Sequence, residues 1–560
     1  MMKIKNKGLI LVIIITVVYS IISFYNLGTL VNPQTFMKFE KANDYAIFEL
    51  NDNSLSKIRY YTGVNTGKYN IYTSDDLKDY TYITTTSDFY VFSWNDVSLS
   101  GKGKYLYIQT VSPGTYLGEI VAYDTENNKI NLLPASENAN YLVDEQDTVP
   151  EEISYLNSTY FDEVYHARAA FEYIHNLKPY EWVHPPLGKL LISLPVRYLG
   201  MTTFAYRLMG NIAGIIMIPV MYMIAKKLFK SEKCGVIAAL IMACDGMHFA
   251  QTRIATVDSY LTLFIMISYL FMIRYLELKK EDSVKKKIKE LFFCGLFIGF
   301  AIDTKWSAMF AAMGLAIIFF VHLIYNCIKD KKCTIDNTKI ILSCIVSFVI
   351  VPIIIYVASY APFFSCPESE VKDFQSFIEH QKGIYEYHSK LEATHPFTSP
   401  WYTWAILYKP VWYYVGYFAN NQVSTIACLG NPIIWWGGIL GVIYLAICFI
   451  KHIIKKDFEK IKAPGILLTV IATTFLSYIF VGRIMFLYHY FITLPFVMLA
   501  LAGLINFIDD FARKHKFKFV IPIFSIIIIT FFIYFFPVVS GYRVSKEYID
   551  NTKWLKTWIY

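Results

Sequence analysis

The residues best suited to chemistry are ionisable side chains near the ends of long apolar segments. Asp162 and Glu163 are two adjacent carboxylates. An ionised group at the centre of a bilayer costs roughly 2.5 to 3.5 kcal/mol, so such a residue needs a partner or a function. The other candidates are widely separated in the chain: His184, Lys189, Arg207, Arg253, Asp258, Lys305, Arg483 and His489. We predict that these residues meet at one membrane interface.

This set of side chains suits a reaction between a phosphate carried by a lipid and an acceptor from the water side. Arginine and lysine can bind the phosphate and stabilise the charge that develops as a sugar–phosphate bond breaks. A carboxylate can take the proton from an attacking hydroxyl. One base is enough, because phosphate leaves as an anion, whereas glycoside hydrolysis requires two carboxyl groups.

Long apolar segments must position these residues. Of the 560 residues, 55% are hydrophobic and 17% are charged, whereas about a quarter of an average soluble chain is charged. Apolar runs of about 20 residues, long enough to cross a bilayer, recur along the chain. They predict about eleven transmembrane helices, near residues 8–30, 204–228, 234–250, 256–276, 290–304, 306–328, 340–362, 431–450, 464–482, 486–507 and 518–538.

The distribution of charge predicts the orientation in the membrane. The formal net charge is +8, and the basic excess lies in short clusters between the apolar runs. With a cytoplasmic N-terminus, every basic cluster that borders a span lies on the cytoplasmic side. We therefore expect a multi-pass protein of the cell membrane with an extracytoplasmic C-terminus. The basic residues form no continuous face, so no nucleic-acid partner is expected.

The predicted fold class is an all-α polytopic membrane protein with an inserted extracytoplasmic β-rich domain. Short Tyr- and Thr-rich alternating runs within residues 45–145 are typical of strands and indicate a small sandwich. Their aromatic residues could line a sugar-binding face, although strand core and cross-strand pairs are the commoner use. The predicted segments are a first transmembrane helix (1–30), the β-rich domain (31–150), a catalytic loop with an interfacial helix (151–203), transmembrane helices (204–362), an extracytoplasmic loop (363–430), transmembrane helices (431–540) and an extracytoplasmic tail (541–560).

The interfacial helix is predicted directly after the carboxylate pair. Val164, Ala167, Phe171 and Ile174 recur at three- and four-residue spacing, and Pro179 ends the pattern. Because its apolar stripe faces away from charged residues, this helix is expected to lie along the membrane surface.

Seven strings of the chain carry a family resemblance. They are "YFDEVYHARAAFEYI", "VHPPLGKLL", "AYRLMGNIAG", "TRIATVDSYLTLF", "GFAIDTKWSAMF", "SPWYTWAILYKPVWYY" and "GRIMFLYHYFITLPF". In this order, over about residues 160 to 540, they resemble the protein O-mannosyltransferase family. That family is similar in fold to other membrane glycosyltransferases of the GT-C class, which use polyprenyl-phosphate sugars.

The resemblance implies transfer of mannose from polyprenyl-phosphate mannose to Ser or Thr hydroxyls, with inversion at the anomeric carbon. It implies that Asp162 is the catalytic base and that Glu163 orients the acceptor or the base. Arg207 matches the arginine that opens the second span in the family. The remaining candidates are assigned to the donor phosphate or sugar: His184, Lys189, Arg207, Arg253, Asp258, Lys305, Arg483 and His489.

Two features depart from the family. Eukaryotic members carry a β-trefoil region in the loop that corresponds to residues 363–430, and this loop is too short to hold one. That difference favours a bacterial member. The β-rich domain before the Asp-Glu pair is the second departure, because the family usually has a short connection there.

Structural roles compete with these assignments. Carboxylates are common in the first turn of a helix, where the helix dipole stabilises them. Arg253 with Asp258, and Asp303 with Lys305, could be ion pairs that tie the ends of spans together. His489 could belong to an interfacial aromatic belt.

Two other functions remain possible from the sequence. One is a transferase of the same fold that moves a sugar onto a lipid or glycan, and the other is a transporter or flippase. The expected partners are the lipid bilayer, a polyprenyl-phosphate sugar donor and a Ser/Thr-containing acceptor protein. No cofactor is expected. Metal dependence is left open, although the sequence contains no compact cluster of metal ligands that would give a reason to expect a metal.

Overall fold

A computed structural model describes residues 7–51, 53–329, 331 and 335–560. The start of the predicted first span, residues 1–6, therefore lies outside the described residues. The chain divides into two compact units. The β-unit comprises Asn26–Tyr180 and Leu191–Met209, and the helical unit comprises Met1–Tyr25, Glu181–Leu190 and Gly210–Tyr560.

Helices account for most of the described chain. The α-helices are α1 (Lys7–Phe24), α2 (Glu163–Ile174), α3 (Leu187–Leu199), α4 (Thr203–Leu228), α5 (Glu232–Ala243), α6 (Gly246–Thr252), α7 (Asp258–Leu276), α8 (Val284–Ile302), α9 (Ala308–Lys329), α10 (Ile335–Ile345), α11 (Val351–Ser359), α12 (Ala361–Ser365), α13 (Phe374–Lys390), α14 (Pro432–Ile454), α15 (Phe458–Leu476), α16 (Leu494–Lys514), α17 (Val520–Ser540) and α18 (Lys546–Asn551). A π-helical turn, Val346–Ile350, joins α10 to α11. Shorter 3-10 turns cover Ala139–Leu142, Gln146–Thr148, Trp401–Ile406, Ser477–Phe480 and Leu487–Ile492.

Nine helical segments in the described residues are long and apolar enough to cross a membrane. The pair α5 and α6, bent by 62°, makes ten if it counts as one span. The eleventh predicted span, 290–304, falls on α8. This helix opens with four lysines, at positions 285, 286, 287 and 289, so the apolar part of the helix is too short to cross a membrane. A helical, multi-pass membrane fold with inserted β-sheets, as the sequence predicts, is confirmed.

The β-unit contains two antiparallel five-stranded sheets. Their strands are β1 (Met37–Phe39), β2 (Tyr45–Glu49), β3 (Ser54–Thr62), β4 (Lys68–Ser74), β5 (Tyr80–Ser87), β6 (Trp94–Lys102), β7 (Tyr105–Thr110), β8 (Thr115–Tyr123), β9 (Lys129–Ile130) and β10 (Leu133–Pro134). One sheet has the order β1-β8-β3-β6 with β9 beside β8, and the other has the order β10-β2-β7-β4-β5. Alternate residues of both sheets, among them Phe48, Ile108 and Ile120, share one hydrophobic core. The strands therefore form a sandwich.

The helical unit also contains a small sheet. Strands β11 (Val411–Phe418) and β12 (Gln422–Cys428) form a hairpin within the predicted loop 363–430. Strand β13 (Val544–Ser545), from the predicted tail 541–560, pairs with β12. The tail is anchored further by Trp558, which is 1% exposed and donates its indole N–H to the Leu407 carbonyl at 2.7 Å.

Candidate active site

The carboxylate pair lies at the start of α2, in the β-unit. Asp162 is the N-cap residue and is half-buried, whereas Glu163 begins the helix and is fully buried. Val164, Ala167 and Phe171 are buried on one stripe of the helix, as their spacing predicts. Packing of this stripe fixes the direction of α2, and with it the position of the two carboxylates.

Glu163 forms a two-pronged ion pair with Arg207, from the first turns of α4. Both contacts, from Nε to Oε1 and from Nη2 to Oε2, measure 2.7 Å. Neither side chain has any exposed surface. Glu163 Oε2 also accepts the backbone N–H of Tyr160 at 3.2 Å. A carboxylate enclosed in this way does not reach an acceptor, so its contacts favour the role of orienting Asp162.

Arg207 uses all five of its N–H groups within the β-unit. Besides the two bonds to Glu163, it donates to the carbonyls of Leu27 at 3.0 Å, Tyr155 at 2.7 Å and Ser158 at 3.2 Å. A guanidinium has five N–H donors in total, so none is left for a phosphate. The expected role of Arg207 in binding the donor phosphate is therefore not supported by this geometry, which instead ties the segment before Asp162 to α4.

Lys189, in the helical unit, also uses all of its side-chain N–H groups within the protein. Its ammonium group donates to the Glu181 carboxylate, to the Glu181 carbonyl at 2.9 Å and to the His184 carbonyl at 2.8 Å. These contacts use all three N–H groups of a side chain that is 0% exposed. In this structure these bonds stabilise the 181–189 turn and leave no ammonium N–H for a donor phosphate.

His184 completes this turn. Its Nδ1–H donates to Glu181 Oε1 at 2.7 Å. Burial lowers the pKa of His184, although the Glu181 carboxylate opposes the shift. The ring is therefore neutral at pH 7. It lies beside the ring of His388, with 5.3 Å between the ring centroids.

Lys305 is the least saturated of the predicted lysines. It donates to Asp258 Oδ1 at 2.9 Å, and its ammonium group lies 5.6 Å from the centre of the Tyr488 ring. His489, which is 7% exposed, stacks on the same Tyr488 ring at a centroid distance of 4.7 Å. The half-buried Arg483 makes no ion pair with any described residue.

Electrostatic contacts join these residues into what we call the cationic cluster. Its members are Lys305, Arg483, His184, His388 and His489. Burial first, and then the nearby Arg483, His184 and Lys305, lower the pKa of His388 to about 4. His388 donates its Nε2–H to the Val183 carbonyl at 2.8 Å. The cluster thus places two cationic side chains, Lys305 and Arg483, beside the neutral rings of His184 and His388. With Asp258 as the partner of Lys305, it suits an anionic group.

Lys305 does not form the ion pair suggested by its sequence neighbour, and Arg253 donates to backbone carbonyls. Lys305 pairs with Asp258 rather than with Asp303, which accepts a hydrogen bond from Ser359 Oγ at 2.8 Å. Arg253 donates to the carbonyls of Ser23, Tyr25 and Ser540, at 2.8 to 3.1 Å. Residues two positions apart in a turn point in different directions, so sequence proximity was a poor guide to pairing here.

Glu181 and His388 were missed by the sequence analysis. Glu181 lies three residues before His184 and eight before Lys189, so the local charge pattern offered a signal for it. His388 approaches His184 from α13, about 200 residues later in the chain, and no sequence signal links the two.

A metal-ligand arrangement occurs elsewhere, in the β-unit. Glu119, Asp144 and Glu145 bring carboxylate oxygens within 4.8 Å of one another. Glu145 Oε2 accepts the backbone N–H groups of Gln34 and Thr35. Burial raises the pKa of Glu119 to about 8, so this group holds a proton at neutral pH. These contacts give the carboxylates a structural use.

Comparison with known proteins identifies two matching family models. The model "Dolichyl-phosphate-mannose-protein mannosyltransferase" matches residues 150–366. The model "C-terminal four TMM region of protein-O-mannosyltransferase" matches residues 373–558. Together they cover well over half of the chain.

Individual relatives agree with these models. The polyprenol-phosphate-mannose–protein mannosyltransferase of Mycolicibacterium smegmatis is 22% identical over 465 residues, which are 71% of this chain and 87% of the relative. Dolichyl-phosphate-mannose–protein mannosyltransferase 1 of Schizosaccharomyces pombe is 28% identical over 220 residues, which are 36% of this chain and 24% of the relative.

A solved structure shares the fold. It is the protein O-mannosyltransferase complex of Saccharomyces cerevisiae bound to the sugar donor. The match has a TM-score of 0.64 and 14% identity, and it covers 72% of this chain and 89% of the yeast chain. The predicted family and fold class are thus confirmed: the chain belongs to the protein O-mannosyltransferase family.

Proposed function

We propose that this enzyme transfers mannose from polyprenyl-phosphate mannose to Ser or Thr hydroxyls of proteins, with Asp162 as the base. The observation that carries the proposal is the setting of Asp162 in a chain of this family. Asp162 is the half-buried N-cap of α2, next to a Glu163–Arg207 pair that is fully enclosed. The enclosed pair fixes the helix start, while Asp162 keeps some exposed surface.

The reaction is a single displacement at the anomeric carbon. Asp162 takes the proton of the acceptor hydroxyl as its oxygen forms a bond to that carbon. The bond from the carbon to the phosphate oxygen breaks, and the polyprenyl phosphate leaves with the electron pair. Because attack and departure occur on opposite faces, the configuration at the anomeric carbon is inverted.

The cationic cluster is our candidate for the donor phosphate. Lys305 uses one N–H for Asp258, and Arg483 has no ion pair among the described residues, so both have N–H groups to offer. Charged donors of this kind stabilise the negative charge that grows on the leaving phosphate. Asp258 would position Lys305, and Arg207, Lys189 and Arg253, which donate to backbone carbonyls, would position the backbone.

The orientation in the membrane follows from charge. We place the N-terminus in the cytoplasm and the C-terminus outside a bacterial cell membrane, because the basic clusters between spans then lie inside. Labelling of single cysteines placed at Lys280 and at Tyr385 in intact cells tests this. Only the residue-385 cysteine should react with a membrane-impermeant reagent, and the reverse pattern would invert the topology.

The decisive experiment uses the purified full-length protein, polyprenyl-phosphate mannose and a Ser/Thr peptide. The wild type should mannosylate the peptide, and Asp162→Asn should reduce the rate by about 10² to 10⁴. Asparagine has the shape of aspartate, and the Asp162 side chain makes no capping hydrogen bond to α2, so the thermal unfolding midpoint should not change. The matched control is Asp373→Asn at the N-cap of α13, where activity should persist.

Two results would change the assignment. Full activity of the Asp162→Asn variant would remove Asp162 as the base. Mannose recovered on lipid rather than on the peptide would replace the protein acceptor by a lipid acceptor.

A further inference from the structure

One face of the β-unit sandwich presents a set of tyrosines outward. In the sheet β10-β2-β7-β4-β5, successive residues point to opposite sides. Phe48, Ile71 and Ile108 point into the shared core. The opposite side carries what we call the tyrosine face, which consists of Tyr45, Tyr72, Tyr80, Tyr82 and Tyr107.

The rings of the tyrosine face form one continuous surface across four strands. Tyr107 lies 5.0 Å from Tyr45, 4.8 Å from Tyr80 and 5.7 Å from Tyr72, measured between ring centroids. Tyr72 lies 5.6 Å from Tyr82. Cross-strand pairs of this kind stabilise a sheet, which explains the ring contacts.

Pairing does not explain how much of these rings faces solvent. Tyr45 is 47% exposed, Tyr80 is 42% exposed and Tyr82 is 56% exposed. The core tyrosine of the same sheet, Tyr69, is 1% exposed. A contiguous exposed aromatic surface usually marks an interaction site.

Polar but uncharged groups accompany the rings. The Tyr82 hydroxyl lies 2.8 Å from Thr85 Oγ1, which donates to Asn70 Oδ1 at 2.6 Å. Asn70 and Gln109 are cross-strand partners. Charged residues in the five strands are confined to Glu49 and Lys68, each at the end of its strand.

We propose that the tyrosine face binds a neutral glycan built of mannose. A pyranose ring has one face of C–H groups, which suits an aromatic ring, and an edge of hydroxyls, which suits amides and tyrosine hydroxyls. Tyrosine offers this contact area at a low cost in conformational entropy. The neutrality of the face matches a neutral sugar and gives no attraction for an anionic lipid surface.

The choice of mannose among neutral sugars rests on the proposed function, since mannosylated protein is the product of that reaction. The face would retain an acceptor that already carries mannose while further hydroxyls are modified. The tyrosine face is built from strands β2, β4, β5 and β7, so it shares no residue with α2, where Asp162 is the N-cap, or with the cationic cluster.

The test measures binding of α-linked mannotriose to the full-length protein in detergent, by saturation-transfer NMR and calorimetry. The wild type should bind, and Tyr80→Ala and Tyr82→Ala should each weaken binding roughly tenfold. Tyr82→Phe should keep most of the affinity, because the ring remains. The matched control is Tyr141→Ala, a tyrosine 43% exposed in a 3-10 turn outside the sheet, which should bind as the wild type does.

Three outcomes would overturn the proposal. They are absence of mannotriose binding by the wild type at millimolar concentration, equal weakening in Tyr141→Ala, and a face that binds an unmodified Ser/Thr peptide but no mannotriose. Asp162→Asn should still bind mannotriose. A wild type that binds mannotriose but transfers no mannose would therefore overturn the proposed function and leave the glycan site standing.

Discussion

Arg207 of the β-unit and Lys305 of the helical unit are both buried cations beside a carboxylate, but the protein uses their N–H groups differently. Arg207 is 0% exposed, and its five N–H groups all bind Glu163 or backbone carbonyls. Lys305 is 8% exposed and donates one ammonium N–H to Asp258, and the ammonium group makes no further hydrogen bond to a described residue. The difference indicates that the saturated cation positions the chain, while the unsaturated cation can bind a ligand.

Substitution of Arg207, whose N–H groups are all hydrogen-bonded, should have the largest effect on stability. Arg207→Ala removes the cation that neutralises the buried Glu163 carboxylate and the N–H groups that Arg207 donates to three carbonyls. We expect a loss of about 3 to 5 kcal/mol in the free energy of unfolding and no measurable transfer. The thermal unfolding midpoint in detergent gives the measurement. The double variant Arg207→Met with Glu163→Gln should recover part of the midpoint, and an unchanged midpoint in Arg207→Ala would refute the structural role.

Removal of the unsaturated cation should act mainly on substrate binding. Lys305→Ala should raise the KM for polyprenyl-phosphate mannose about tenfold, as expected for one charge-assisted hydrogen bond. Lys305→Arg should keep most of the affinity for the donor, because the positive charge remains. The contrast is Lys189→Met, in which a saturated lysine is lost and the unfolding midpoint should fall instead. A lower unfolding midpoint with an unchanged KM in Lys305→Ala would show that Lys305 has a structural role, like Arg207, and does not bind the donor.

The neutral histidines of the cationic cluster should make stability depend on pH. The pKa of His388 falls from 6.5 to about 4 in the folded protein, because the ring is buried near cations. Between these values the unfolded chain binds more protons than the folded chain, so stability falls as the pH is lowered from 6.5 towards 4. His388→Gln should flatten this part of the curve of unfolding midpoint against pH. An equally steep curve in the variant would show that His388 does not contribute.

The smallest effect is expected from an exposed ion pair. Lys390 and Glu386 lie one turn apart on α13, and their side chains are 75% and 61% exposed. Such pairs contribute from about 0 to 1 kcal/mol. Lys390→Ala should leave the unfolding midpoint and the KM for the donor unchanged within error. A change comparable to that of Lys305→Ala would show that distant surface charge, rather than a direct contact, governs donor binding.

Regular patterns in the sequence predicted the elements well. The spacing of Val164, Ala167 and Phe171 predicted α2, and the alternation in residues 45–145 predicted a sandwich. Prediction of side-chain partners was poorer. Nothing in the sequence shows that Lys305 pairs with Asp258 rather than with Asp303 two residues away, since that choice depends on how α7 approaches the turn between α8 and α9.

The sequence by itself determined the membrane class, the strand-rich insertion and the family motifs, because hydropathy and periodicity are local properties of the chain. Only the tertiary structure decided which charged side chains use all of their N–H groups in hydrogen bonds within the protein. Arg207 collects its partners from residues 27, 155, 158 and 163, and the five rings of the tyrosine face come from four strands. Hydrogen-bond saturation and exposure depend on which distant segments meet in space, and the order of residues alone does not specify this.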